Sequence, residues 1–186
     1  SFKAASNIEE IILPESVKSI ETQVFSENKK LKTLKIGKNV SYIDPIFKFM
    51  NGNGEVIIDE ENPYYTVENN ILYNKEKTEL IAVIERIQGN FIVPENIEKI
   101  GDRAFHNQEK MTSIELPTSL KEIGDSFNFC NGLVEITIPA NVEKIGNNCF
   151  ASAVNLEKIK INKPANSIEY SPWGAMRGVR VVEWQN

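Results

Sequence analysis

The sequence predicts an α/β fold, in which the chain winds into a right-handed, horseshoe-like solenoid of about seven coils. A parallel β-sheet would line the concave side, with few short helices and one inserted β-hairpin. Two observations predict this architecture. One motif returns every 22 or 23 residues, and a fixed period of about 20–29 residues is typical of solenoids. The period fails once, between Ile58 and Val93, where an insertion is expected.

Each repeat begins with a strand of the pattern apolar-x-x-apolar-x-apolar. In the copy at 111–116, the alternation points Ile114 and Leu116 inward and Glu115 outward. Pro117 ends the strand because proline has no N–H to donate to a sheet. Consecutive coils must stack, with their strands parallel, because one repeat alone cannot offset the entropy of ordering its backbone. Further strands are expected at 8–13, 31–36, 133–138 and 156–161, with weaker copies at 56–58, 91–93 and 179–184.

The second half of each repeat holds an apolar-x-x-Ile segment and then, four or five residues later, a large aromatic residue. The phenylalanines are expected to stack on one another inside the coils, each followed by a polar turn or a single helical turn. Gly101, Gly124 and Gly146 follow the isoleucine in three copies and should adopt positive φ at a corner. The aromatic residues at this position are Phe25, Phe47, Phe105, Phe127, Phe150 and Trp173.

The insertion covers about residues 62–89 and is predicted to be a β-hairpin. Two β-prone runs, Ile71 to Tyr73 and Glu79 to Val83, flank a polar turn at 74–78. The repeats on both sides of the insertion predict one solenoid domain over 1–186, with repeats from about residue 8. A capping coil is expected at about 171–186, where Trp173 and Trp184 take repeat positions. The first coil should be covered by Phe2, by another protein chain or by further sequence before residue 1.

Composition excludes several classes of function. The formal charge of −5 argues against nucleic acid as a partner, since phosphate binding requires clustered Lys and Arg. No apolar run approaches the ~20 residues of a membrane-spanning helix, so membrane insertion is not expected. One histidine and two cysteines leave no recognisable metal site, cofactor site or catalytic set.

The few residues that could take part in catalysis or metal binding have simpler interpretations. His106 is expected to be exposed in a polar turn. Cys149 takes a position that is small in other repeats and should pack as an apolar group, and a disulfide with Cys130 is not favoured. The acidic run of Asp59, Glu60 and Glu61 lacks the spaced, glycine-bent arrangement of a calcium loop and is interpreted as a solvated turn.

The pattern L-x-x-I-x-I-P-x-x-V/L-x-x-I-G-x-x-x-F resembles the BspA-like (Treponema pallidum-type) leucine-rich repeat family, over almost the whole chain. The resemblance implies a leucine-rich-repeat solenoid that is secreted or displayed on a cell surface and acts in adhesion or host interaction rather than catalysis. The sequence departs from the family where Glu21 and Asp44 replace glycine, so those corners should differ. Of the family's cysteines after phenylalanine, only Cys130 is present.

The outward residues of the concave sheet and the tyrosines of the insertion are the candidate protein-binding surface, because solenoids bind along such extended faces. In one interpretation, which we favour, the hairpin covers Ile57 and Ile92. In the other, these isoleucines form an exposed patch with the tyrosines. The candidates are Lys35, Ile57, Tyr64, Tyr65, Tyr73, Ile92, Glu115, Glu135, Lys158 and Lys160.

The favoured function is therefore non-catalytic protein binding at a bacterial surface, with a host matrix or surface protein as partner. One alternative is a structural spacer within a longer surface protein. Another is an enzyme with its site on the insertion, involving Asp59, Glu60 or Glu61. No catalytic, cofactor-binding or metal residues are predicted.

Overall fold

The computed structural model of the chain describes residues 7–21, 24–25, 28, 30–45, 54–165, 167–168 and 179–185. The chain divides into two compact units, Ser1–Arg86 and Ile87–Asn186. The strands of the first are β1 (Glu10–Ile12), β2 (Ser19–Ile20), β3 (Thr33–Ile36), β4 (Tyr42–Ile43), β5 (Glu55–Ile58), β6 (Tyr65–Glu68), β7 (Ile71–Asn74) and β8 (Glu79–Val83). Those of the second are β9 (Gly89–Ile92), β10 (Lys99–Ile100), β11 (Met111–Glu115), β12 (Glu122–Ile123), β13 (Glu135–Ile138), β14 (Lys144–Ile145), β15 (Lys158–Ile161) and β16 (Val181–Trp184).

The solenoid coils of the first unit stack through two parallel sheets. Strands β1, β3 and β5 form one sheet, in which Ile11, Leu34 and Val56 lie side by side. Strands β2 and β4 form the second, where Ile20 pairs with Ile43. All five of these apolar side chains are buried. The repeat therefore places the same inward positions in register from coil to coil, as its period predicts.

The insertion forms an antiparallel meander of three strands, β6, β7 and β8. The predicted hairpin is confirmed as β7 and β8, and its turn is held by Asn74, whose Oδ1 accepts hydrogen bonds from the N–H groups of Thr78 and Glu79. Strand β6 extends it. Asn69 and Asn70 join β6 to β7 with φ of 50° and 57°, the left-handed conformation that asparagine tolerates in tight hairpins.

The second unit is built of parallel sheets throughout its described residues. Strand β9 pairs with β11, strands β10, β12 and β14 form a second set, and β13, β15 and β16 a third. The buried rings of Phe105, Phe127 and Phe150 stack in a column, with centroids 5.2 and 5.6 Å apart. The predicted phenylalanine stack is confirmed here. The predictions for Phe2, Phe47 and Trp173 concern residues outside those that the structure describes.

Turns replace the few short helices that the sequence predicts. The described residues contain no helix. After Gly101 the chain makes successive turns, in which the N–H groups of Ala104 and His106 bond to carbonyls three residues earlier. Alternating with them, the N–H groups of Arg103 and Phe105 donate to carbonyls of the next coil. Arg103 also adopts a φ of 59°. A helix does not form here because every second N–H group donates to the next coil and because Arg103 has a left-handed backbone conformation.

The corner glycines Gly124 and Gly146 are required for a different reason from the one predicted. Gly89 is the one glycine with positive φ among the described residues, so Gly101, Gly124 and Gly146 do not supply positive φ. Instead, a Cβ at Gly124 would lie 2.3 Å from Oδ1 of Asp102 in the preceding coil. At Asp44, which replaces this glycine, the backbone N–H still donates to Ile20 O at 2.8 Å, so this feature of the corner persists without glycine.

The ends of the chain are described only in part. Strand β16 pairs with β15, so that Trp184 lies beside Ile161 at the predicted inward position and is partly exposed. The capping coil at about 171–186 and the single domain over 1–186 stay predictions.

Candidate functional site

The outward face of the β1–β3–β5 sheet carries a row of two isoleucines and one lysine. The register places Ile12 beside Lys35 and Lys35 beside Ile57. Ile12 is 63% exposed and Ile57 40%. Lys35 Nζ lies 2.7 Å from Glu10 Oε1 in β1. Because adjacent strands are about 4.8 Å apart, the two isoleucines flank a paired charge within about 10 Å. We call this the Ile12–Lys35–Ile57 row.

The outward face of β9 and β11 is mostly polar around one isoleucine. Ile92 is 64% exposed and lies beside Glu115. The carboxylate of Glu115 accepts a hydrogen bond from Asn90 Nδ2, and Asn90 Oδ1 accepts one from the Ser113 hydroxyl. This network holds the Glu115 side chain along the sheet, so Ile92 is the main apolar feature of this outward face.

The charged candidates of β13, β15 and β16 pair with one another. Lys160 forms an ion pair with Glu135, and Lys158 Nζ lies 2.8 Å from Glu183 Oε1. The hydrogen bond from Lys160 lowers the pKa of Glu135 and raises that of Lys160. Exposed pairs of this kind contribute little to stability because water and salt screen them. They leave this face electrically neutral along its rows.

The expectation that the hairpin covers the isoleucines is wrong, because Ile57 and Ile92 both remain exposed. One of the tyrosines is also misplaced by the sequence argument. Tyr73 is 5% exposed, and burial raises its pKa to about 12. It points inward because Ile71, Leu72 and Tyr73 of β7 are all buried, so that the central strand of the meander has no outward apolar face. Tyr73 therefore does not belong to a binding surface.

Tyr64 lies at the rim of a groove in the first unit, which we call the tyrosine groove. Its volume is about 300 Å³, and its lining residues are Lys18, Lys38, Asn39, Ser41, Glu61, Pro63 and Tyr64. Tyr64 is 51% exposed. Lys38 Nζ lies 2.7 Å from Glu61 Oε2, and this hydrogen bond raises the pKa of Lys38.

A buried asparagine fixes one wall of this groove. Asn62 takes the position that Val40 has in the preceding coil, and its side chain is fully buried. Its Nδ2 donates to the carbonyls of Gly37 and Val40, and its Oδ1 accepts from the N–H groups of Tyr64 and Tyr65. All polar atoms of the amide are thus used, as burial requires. The Tyr65 hydroxyl adds a 2.9 Å bond to Ser41 O.

Sequence reasoning missed several surface residues. Ile12 was passed over because its neighbours Ile11 and Leu13 satisfy the inward pattern. Tyr42, which is 47% exposed, takes the position in its coil that Tyr64 takes in the next. The available signal was the coil alignment itself, which places Val40 opposite Asn62 and these two tyrosines at equivalent positions.

Packing, burial or turn formation accounts for the residues considered for catalysis or metal binding. No cluster of three or more His, Cys, Asp or Glu suited to a metal occurs within the described parts of the chain. Cys130 and Cys149 are free and buried, and burial raises the pKa of the Cys149 thiol. His106 packs edge-on against Phe129 and is partly buried rather than exposed. Asp59 Oδ1 accepts the N–H of Glu61, as in an ordinary Asx turn.

No helix in the described residues has the length and apolar character needed to cross a lipid bilayer.

A family model described as the BspA type leucine rich repeat region matches residues 1–89 and 84–176, in six copies. No curated protein matches the chain. Such repeats form a scaffold that is generally non-catalytic and mediates protein–protein interaction.

Three solved structures share the fold. A leucine-rich repeat protein from Eubacterium ventriosum is 24% identical, with a TM-score of 0.67 over 82% of this chain and 42% of its own. The pneumococcal vaccine antigen PcpA is 20% identical, with a TM-score of 0.66 over 96% and 57%. A leucine rich cell surface protein from Faecalibacterium prausnitzii is 18% identical, with a TM-score of 0.63 over 100% and 62%. The chain thus spans between 42% and 62% of these proteins.

Proposed function

Because the chain belongs to the BspA type leucine-rich repeat family, we propose that it is a non-catalytic protein-binding module displayed on a bacterial surface. The surface location draws on the similar proteins, one of which is described as a cell surface protein and another as a vaccine antigen. A host matrix or surface protein is the proposed partner. The sheet faces supply extended rows of side chains, the kind of surface that solenoids use for binding.

The Ile12–Lys35–Ile57 row carries this proposal. Two exposed isoleucines on one sheet face offer apolar area that a partner can bury. Because they are 63% and 40% exposed, covering them would contribute roughly 1 kcal/mol each. Lys35 between them is held in place by Glu10, so little side-chain entropy is lost on binding. Exposed Ile92 and Tyr64 extend the set of candidates.

Binding of the purified chain to immobilised collagen, laminin and fibronectin tests the proposal by biolayer interferometry. We expect saturable binding to at least one of them. Ile12→Ser and Ile57→Ser should each weaken it by about fivefold, since each removes an anchor worth roughly 1 kcal/mol. Val154→Ser is the matched control, because the exposure of Val154 lies between those of Ile12 and Ile57 but the residue lies in a turn of the second unit.

Unchanged thermal unfolding of each variant would confirm that binding, not folding, is measured. An equal loss in the Val154 variant, or no binding to any matrix protein, would contradict the proposal.

A structural spacer is the second candidate, and one observation favours it. The exposed cations on the sheet faces pair within the chain, Lys35 with Glu10, Lys158 with Glu183 and Lys160 with Glu135. A face whose charges are already paired gains less from a charged partner. The spacer predicts no difference between the Ile57 and Val154 variants in any binding assay.

An enzyme on the insertion has less support. Glu61 is paired with Lys38, Asp59 forms a turn, and Lys75 Nζ donates to the backbone carbonyl of Glu60. Turnover that is abolished by changes at these acidic residues would revive this reading.

A further inference from the structure

Each unit carries a groove at the same place in the repeat, where the sheet strand ends and the apolar-x-x-Ile segment begins. The tyrosine groove of the first unit is described above. The groove of the second unit, here called the charged groove, has a volume of about 490 Å³. Its lining residues are Glu98, Ser119, Lys121, Ala140, Asn141, Glu143 and Lys163. Because the repeat produces both grooves, a feature that the two grooves share is a general property of the fold. A feature that only one groove has can indicate a ligand site.

The two grooves differ in charge. Two lysines and one glutamate line the tyrosine groove, which gives a formal charge of +1, whereas two lysines and two glutamates cancel in the charged groove. Lys121 is paired with Glu98 at 2.8 Å, and Lys163 Nζ donates to Val142 O. In the tyrosine groove Lys38 is paired with Glu61, while Lys18 is exposed and forms no ion pair with any described residue. A cation is therefore available in one groove in a chain whose net charge is −5.

The grooves also differ in their apolar surface. The insertion adds Pro63 and Tyr64 to the tyrosine groove, and no aromatic residue lines the charged groove. The Tyr64 backbone is held at both ends, because its N–H donates to Asn62 Oδ1 at 2.8 Å and its carbonyl accepts from Lys75 N at 2.9 Å. A half-exposed ring on a fixed backbone is a preorganised platform, so little entropy is lost when a flat apolar face stacks on it.

We propose that the tyrosine groove binds a pyranose ring that carries a carboxylate, as in a sialic or uronic acid residue of a glycan. The C–H face of the sugar would stack on Tyr64 and Pro63. The side chains of Asn39 and Ser41 already donate to Glu15 O and Lys18 O, so their Oδ1 and Oγ atoms would accept hydrogen bonds from the ring hydroxyls. Lys18 would bind the carboxylate through a charge-assisted hydrogen bond. The volume of about 300 Å³ is at the small end of ligand sites and suits one or two rings. This site is separate from the protein-binding row on the sheet.

Titration of the ¹⁵N-labelled full chain with 3′-sialyllactose, methyl glucuronide and lactose tests the proposal by NMR. At least one acidic sugar should shift the signals of the tyrosine groove saturably, and lactose should bind more weakly. A response to sialyllactose alone or to the glucuronide alone identifies which acid is bound. Lys18→Gln should lower the affinity for the acidic sugar about tenfold and leave that for lactose unchanged. Tyr64→Ala should weaken both.

Lys121→Gln is the matched control, since it neutralises the lysine at the equivalent position of the charged groove and should have no effect. Three results would overturn the proposal. These are no saturable shift with either acidic sugar, an equal loss in the Lys121 variant, or equal shifts with sodium acetate, which would reduce the effect to charge attraction alone. Both lysines are exposed, so the substitutions should not prevent folding.

Discussion

At the scale of single residues, a carboxylate ladder decides which positions must be glycine. Asp102 Oδ1 accepts the N–H of Asp125 in the next coil at 2.9 Å, and Asp125 Oδ1 accepts that of Asn148 at 2.8 Å. The Asp102 carboxylate lies over Gly124, directly before its partner, and the Asp125 carboxylate lies over Gly146, two residues before Asn148. A Cβ at Gly146 would lie 2.3 Å from Asp125 Oδ1, as at Gly124. At both corners the glycine makes room for the aspartate of the preceding coil.

Gly124→Ala is accordingly expected to destabilise the chain by about 1–3 kcal/mol, since the clash includes backbone atoms of Asp102 and not only its flexible side chain. Gly37→Ala is the matched control, because its Cβ would meet only Leu13 O, at 3.7 Å. Urea unfolding of both variants measures the difference. If the two alanines cost the same, steric exclusion by the ladder is not the reason for the glycine.

Tyr73 provides a prediction for alkaline pH. Burial raises its pKa from the ordinary 10.0 to about 12, so the folded state holds the phenolic proton more tightly than the unfolded state. This contribution to stability is complete below pH 10 and is lost as the pH rises through about 12. Tyr73→Phe should show a smaller loss of unfolding free energy over this range. Tyr64→Phe, at an exposed position, should follow the wild type, and parallel curves for all three would refute the assignment.

At the scale of elements, the phenylalanine column joins consecutive coils of the second unit. Phe127 stacks on Phe105 at an interplanar angle of 18° and on Phe150 at 8°. Two residues later in its coil, Phe129 adopts a φ of 60° and is exposed. The repeat equivalents Asn107 and Ser152 share this left-handed φ. The backbone conformation therefore belongs to the turn and not to the residue type.

Phe127→Ala should cost about 3–5 kcal/mol, since it removes a buried ring from the middle of the column. Phe129→Asn should change the unfolding free energy by less than about 1 kcal/mol, because asparagine tolerates left-handed backbone and the lost contact with His106 is at the surface. Thermal and urea unfolding distinguish these outcomes. A small cost at Phe127 would mean that neighbouring coils close over the cavity.

At the scale of the molecule, the period of the sequence is sufficient to predict the coils. It is insufficient to predict the irregular contacts and the meander between them. Apolar spacing predicts the strands and the phenylalanine column because burial acts on each repeat alike. It cannot predict Asn62, a polar residue at an apolar position whose four hydrogen bonds come from two segments of the chain. It also misplaces Tyr73, since burial in the meander depends on strand pairing rather than on the repeat. The tyrosine groove depends on the first of these exceptions, because Asn62 holds the backbone of Tyr64 and Tyr65.

The second unit is expected to fold by itself as the fragment 87–186, because its sheets and its phenylalanine column are formed by its own coils. The fragment should show a strand-type circular dichroism spectrum and a cooperative urea transition. Ile136→Val, a buried change worth about 1 kcal/mol, should cost the same in the fragment and in the full chain, within about 0.5 kcal/mol. Val154→Thr, at an exposed position, should cost nothing in either. A fragment without a transition, or a cost at Ile136 that depends on residues 1–86, would show instead that the coils of this chain are stable only as one array.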